Sequence, residues 1–374
     1  MAARATQICH SCPAFQRFFG LYELNHMART ALPEANGKIA AAPSRGAFAR
    51  KKSPSPFAEK KARKPAVKPT WSKSVPVTLK PNSNMDDVIH VVVAACRNHW
   101  QKNIAAAIDG THPEGLHQVR VALRRLRSAL SAFKDLIPDA QRIALNQEAK
   151  WLLSELGAVR DLDVFVQELA APLSGHLSGN ADLVQVMRTA RLAQSKAHAR
   201  AARALQGTRA KRFVARLEAW VNGRGWRSGD AKHDGKVTPA ADFAQRFLNR
   251  KLRKIRTTYD DVEALSIPDR HELRIAVKKI RYAIEFFHTL LPAKRVARLN
   301  GILKALQDSL GHLNDLDVAE RTVGTLVNVA DSGLSRRQIA AGGKAIGAWH
   351  KKAAAEAEPE TFKLWRKLKK APSF

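Results

Sequence analysis

The sequence predicts an all-α fold made of two related halves, preceded by a disordered basic tail. Three observations predict it. From Met85 onward, Leu, Val, Ile and Ala recur at helical spacing, with Gly and Pro clustered between the periodic stretches. Residues 117–164 repeat as residues 271–318 at a constant offset of 154, with 18 identities in 48 positions and no gap. No alternating pattern of strand type competes with the helical one.

The elements follow in order. Helices are expected near 85–108, 116–136, 140–157, 161–171, 181–205 and 208–221, and then near 240–259, 269–290, 294–310, 314–330, 335–356 and 360–369. Pro138 and Pro292 lie where proline stops the second helix of each half. Gly157 and Gly311 are placed to end the third as left-handed glycines. The stretch 222–238 reads as the connector. Repeat one thus spans about 85–221 and repeat two about 239–370, within a helical domain of residues 85–370.

Residues 1–84 differ in kind. They hold 15 Lys and Arg against three acids, a net +12 of the chain's formal +31, and the Pro/Lys-rich run at 50–81 has no apolar period. Such composition gives a flexible or polyproline-like tail. The acid-poor start to Glu23 also fits a targeting segment, or an over-extended start with Met27 or Met85 as initiator. Cys9 and Cys12 form a lone CxxC without a second pair, which is weak support for zinc. Three cysteines in 374 residues exclude a disulfide framework and fit a reducing, cytoplasmic setting. No run of 18 apolar residues occurs, so no membrane-spanning helix is expected.

The remaining +19 is distributed in duplicate. On the helix opening at His117, Val119, Leu123, Leu126, Leu130 and Phe133 fall within an arc of roughly 80°, a core stripe. His117, Arg120, Arg124 and Arg127 occupy a second arc of the same width beside it. The repeat carries Leu273, Val277, Ile280, Ile284 and Phe287 inside, with His271, Arg274, Lys278 and Arg281 alongside. Arg125 and Lys279 point a third way. Four cations along one stripe repel each other and destabilise an isolated helix, and no Glu is interleaved to relieve them. A solvated basic face would explain one such stripe. Its recurrence argues instead for a surface that receives an extended row of anions, with Arg giving bidentate contacts and Lys a point charge. His117 and His271 read as ligand contacts, whose cationic form a bound anion would favour, with a structural role as the alternative. Asn146 with Lys150, and Asn300 with Lys304, recur on the third helices and could extend the row.

Asp161 and Asp163, and their counterparts Asp315 and Asp317, follow the glycine turn. There they read as capping carboxylates or partners of nearby Arg rather than as metal or acid–base pairs. The run GRGWRSGD at 223–230 lacks the GK[ST] ending of a phosphate loop.

Taken together, HxxRVxxRRLRxxLxxF with LGxxRDLDV, and HxxRIxxKKIRYxxEFF with LGxLNDLDV, resemble the CHAD family of conserved-histidine α-helical domains. The resemblance covers roughly residues 85–370. It implies two antiparallel four-helix bundles about a pseudo-twofold axis, basic helices lining a central cavity, and binding of inorganic polyphosphate on cytoplasmic granules. By position it supplies His117, Arg120, Arg124, Arg125 and Arg127 from one half, with His271, Arg274, Lys278, Lys279 and Arg281 from the other. Asn314 stands where the first half has Arg160, so a role needing Arg at both turns is in doubt. A CYTH triphosphatase domain, which often accompanies the family, would show an ExExK strand motif. Here Glu356, Glu358 and Glu360 are followed by Thr361 in a helical context. The expectation is a stand-alone binding protein without catalysis, metal or cofactor. The competing reading is non-specific DNA binding through the basic tail and helices, although aromatic residues for base stacking are scarce.

Overall fold

The computed structural model describes residues 69–174, 180–228, 238–326 and 336–374, and among them every regular element is helical. In chain order the α-helices of eight residues or more are α1 (Met85–Asp109), α2 (Pro113–Ala132), α3 (Asp139–Glu155), α4 (Gly157–Val164), α5 (Ala181–Gln206) and α6 (Thr208–Asn222). After the connector come α7 (Ala240–Thr258), α8 (Ile267–Phe287), α9 (Ala293–Ser309), α10 (Gly311–Leu326) and α11 (Arg336–Lys370). The starts of α2, α3 and α4 recur 154 residues later as the starts of α8, α9 and α10.

Local chemistry explains the boundaries. The Asn84 side chain accepts from the Asp87 N–H at 3.0 Å and opens α1. Gly110 ends it at φ 68°, a left-handed conformation that glycine adopts without a Cβ penalty. Pro113 and Pro268 sit in the first turns of α2 and α8, where a missing N–H costs nothing.

Both predicted core stripes are buried: Val119, Leu123, Leu126, Leu130 and Phe133 on α2, and Leu273, Val277, Ile280, Ile284 and Phe287 on α8. The two helices meet each other, with the rings of Phe133 and Phe287 edge-on at 6.2 Å between centroids. That crossing brings the two basic rows together. The α1–α2 contact is equally close. A Cβ on Gly115 would lie 2.7 Å from the Ala106 carbonyl carbon, which is backbone and cannot turn aside. Gly115→Ala is therefore expected to destabilise the fold by about 2 kcal/mol in urea unfolding, as overpacking does. An unchanged midpoint would show that the crossing is looser.

Four expectations change. Residues 69–84, assigned to the free tail, instead strap the helices. Val77 and Leu79 are buried, the Ser72 N–H donates to Asn103 Oδ1 at 2.8 Å, and the Leu79 N–H donates to Thr289 Oγ1 at 3.0 Å. The lack of a helix there was legible from the prolines, but the anchoring by two apolar side chains was not. Gly157 and Gly311 do not end helices. They begin α4 and α10, and Gly110 is the only glycine with positive φ among the described residues. Asp161 and Asp163 consequently lie inside α4 and cap nothing. The last two expected helices are one, because α11 runs through Pro359. Packing on both sides of the proline, by Ala354 and by Leu364 and Trp365, holds the line that a lone proline would break.

The connector leaves α6 through Arg224 at φ 46° and buries Trp226, whose indole N–H donates to Asp86 Oδ1 at 2.7 Å. Arg227 and Arg224 also bind this carboxylate and hold it well below its ordinary range, at about 2. The targeting and CxxC readings, and the tail before residue 69, fall outside the described residues.

Candidate functional site

Where α2 and α8 cross, a cavity of about 670 Å³ opens between them and α4, α9 and α10. Arg120 and Arg124 enter it from α2, Arg160 from α4, and Arg274, Lys278 and Arg281 from α8. Asp161, Glu168, Glu285 and Asp315 face these six cations, so the lining is mixed but cationic on balance. His117, His288 and Tyr282 complete the titratable lining.

The field in the cavity shows in the protonation of its walls. Burial, with the charges of Arg274 and Arg124 beside it, pushes the Lys278 ammonium down to about 7. Burial likewise lowers Arg120 to about 10, and Arg124 adds to the effect. Arg274 is lowered by burial, partly offset by Asp315. Arg124 belongs to the first half yet bears on both Arg274 and Lys278 of the second. The two rows therefore form one electrostatic unit. His117 is pushed down to about 3, by burial first and then by Arg160, Arg124 and Arg120. His117 is therefore neutral at pH 7, although Asp163 acts in the opposite direction and an incoming anion would add to that.

Hydrogen bonds fix part of this wall in place. An Arg120 N–H donates to the Leu153 carbonyl at 2.8 Å, and an Arg281 N–H donates to Gln307 Oε1 at 2.9 Å. Arg120 passes over the start of α4 and Arg274 over the start of α10, 3.9 and 3.8 Å from where a Cβ would stand on Gly157 and Gly311. Cations at a helix N-terminus are disfavoured by its dipole. The charges of Asp161 and Asp315 offset that at Arg120 and Arg274 without a direct ion pair among the described contacts. Asp163 goes elsewhere: it is fully buried and its Oδ1 accepts from Gln194 at 2.7 Å and lies 3.2 Å from His198 Nε2. Beyond Asp163, α4 widens into a π-helical segment, Phe165–Ala170, which presents Glu168 to Arg160 at 2.9 Å.

Of the twelve residues chosen from sequence, the cavity gathers His117, Arg120, Arg124, Arg274, Lys278 and Arg281. The others lie elsewhere. Arg125 is fully buried behind the wall, its guanidinium 2.6 Å from Glu285 and 5.9 Å over the Phe286 ring. Arg127 is spent on Asn146, donating to its Oδ1 at 2.9 Å. His271, Lys150 and Lys304 are exposed and outside the lining, and Lys279 lines a different hollow. One residue step is 100° on a helix, enough to turn Arg125 and Lys279 away from the neighbours they follow. Sequence reasoning missed Arg160, which it read only as a motif position without a counterpart, and also Glu168, Tyr282, Glu285, His288 and Gln307. Of the latter, Glu285 alone left a signal, as an acid placed on a helix otherwise read for its cations.

The comparisons agree with this architecture. A family model described as the CHAD domain matches residues 91–324, a span that includes both basic helices. The chain belongs to the CHAD domain family. Among solved structures it is similar to the crystal structure of the CHAD domain from the plant Ricinus communis, with 28% identity and a TM-score of 0.68, over 81% of this chain and 98% of that one. PptA from Streptomyces chartreusis shares the fold, with 14% identity and a TM-score of 0.55, over 76% of this chain and all of that one. A search of curated proteins finds no match. No helix among the described residues is long and apolar enough to cross a membrane.

Proposed function

We propose that this CHAD protein binds inorganic polyphosphate in the central cavity and holds it without turning it over, on polyphosphate granules. One observation carries the reading: six cations from both halves converge on a single hollow of about 670 Å³. A polymer of phosphates with no bulky side groups suits such a space. Arg124, Arg274 and Arg281 can grip phosphate oxygens bidentately, while Lys278 acts as a point charge. Duplex DNA is far wider than the hollow, and Tyr282 is the one Phe, Tyr or Trp ring on its lining, too little for a stacked single strand.

The first test is calorimetry of long-chain polyphosphate titrated into the full chain at 0.15 M salt. Saturable binding is expected, and its absence would end the reading. Phosphate release with magnesium should stay at the background rate; measurable turnover would make the protein an enzyme. A fluorescent fusion should coincide with a polyphosphate stain in cells that accumulate the polymer.

The depressed Lys278 adds a pH signature. Near pH 8 its amine is mostly neutral in the protein alone, since its value lies at about 7. A bound polyanion favours the ammonium, so binding takes up a proton, and affinity falls as pH rises from 7 toward 10. Titrations at pH 8 in two buffers of different ionisation enthalpy should show uptake approaching one proton per site. Lys278→Met should abolish that uptake. Proton release, or uptake unaffected by the substitution, would assign the charge change to another group.

A further inference from the structure

On the far side of α8 from Lys278 lies a second, smaller hollow of about 220 Å³, between α2, α7 and α8. Its walls divide by chemistry. Phe247, Ile255, Ile280 and Ala283 are buried and form an apolar floor, while Lys251, Lys254 and Lys279 stand around it. Among the described residues none of the three lysines forms an ion pair, although Glu272 shares the lining. Burial lowers the Lys251 ammonium, and Arg250, Lys254, Lys279 and Lys134 lower it further. Its Nζ stands 5.4 Å from the centre of the Phe247 ring, and Phe247 stacks on Phe243 with centroids 5.8 Å apart. Like charges gathered over an apolar floor without a partner are held apart only by the fold, and an anion would relieve them.

We propose that this hollow is a binding site for a nucleoside monophosphate, separate from the polyphosphate cavity. Inorganic phosphate would satisfy the lysines and leave the floor unused. A fatty acid would use the floor but leave the hydroxyls of Ser128, Ser131 and Thr258 and the Glu272 carboxylate, all on the lining, without partners. A planar base set on the floor, with its phosphate toward the lysines, engages both. Ribose hydroxyls and an exocyclic amine then meet the lining oxygens. At about 220 Å³ the hollow takes the base, with the ribose and phosphate at its rim, where Lys254 and Lys279 are exposed. Lys279, which the sequence grouped with the polyphosphate row, acquires its role here.

The test is calorimetric titration of AMP into the full chain, with adenosine and inorganic phosphate as separate titrants. AMP should bind at one site, and each of the other two should bind at least about tenfold more weakly. The double substitution K251A/K279A should weaken AMP by about tenfold or more and leave polyphosphate affinity within about twofold. R124E/K278E should do the reverse, so failure of the cavity reading and failure of this one remain distinguishable. Absence of AMP binding, equal binding of inorganic phosphate or adenosine, or AMP binding that survives K251A/K279A would each overturn the proposal.

Discussion

Reversing two charges across the cavity, as R124E/K278E, is expected to weaken polyphosphate binding by roughly a thousandfold, about 4 kcal/mol, while the helical content stays intact. The pair is chosen because Arg124 comes from α2 and Lys278 from α8, and Arg124 is among the charges that depress Lys278. The two repel each other, so the substitution does not remove a stabilising contact. It also places two more carboxylates beside Glu285 and Asp315, where a polyanion must pass. Reversing tail charges, as K51E/K52E, is expected to reduce affinity only a few fold, and mainly at low salt, because such contacts act through counterion release. Calorimetry or filter binding at 0.15 M salt reads both. Equal losses from the two variants would place the binding energy in the tail.

Arg125 is the second large effect, and it separates packing from binding. The family resemblance carries it over with the ligand residues, yet its side chain is fully buried and paired with Glu285 at 2.6 Å. Removing one member of a buried pair leaves the loss of packing and an unmet charge. R125A should therefore cost about 3 kcal/mol in urea unfolding, with polyphosphate affinity in the folded protein changed by no more than about threefold. Arg125→Met refills the space without a charge and should recover at least half of the stability, since Glu285 retains access to solvent. If R125M were stable and had lost polyphosphate binding, Arg125 would be a ligand contact after all.

The two stripes on each basic helix were legible because they depend only on the 100° step and on residue type. All ten core positions read from α2 and α8 are buried, and six of the eight stripe cations and histidines reach the cavity. Arg127 and His271 do not. Arg127 has Asn146 within reach on α3, and His271, the fifth residue of α8, is exposed. Those outcomes are set by neighbouring helices and leave no mark on the helix's own pattern. The acids of the cavity were hidden for a related reason. Glu168 reaches Arg160 from a π-helical segment, which shifts the register that a 100° wheel assumes. Asp161 and Asp315 were seen but misplaced, because Gly157 and Gly311 looked like helix ends and proved to be helix starts. The strap at 69–84 was masked by its composition. A Pro/Lys-rich run reads as tail even when Val77 and Leu79 fasten it to the core.

On the proposed function, the cavity rather than total charge selects the polyanion. Competition tests it most directly: full-length protein bound to a fluorescent DNA duplex at 0.15 M salt is titrated with long-chain polyphosphate or unlabelled duplex at equal phosphate concentration. Polyphosphate should displace the probe at far lower concentration than the duplex does, and R124E/K278E should erase that difference. Equal displacement by the two polymers, or a preference unchanged in R124E/K278E, would contradict the account.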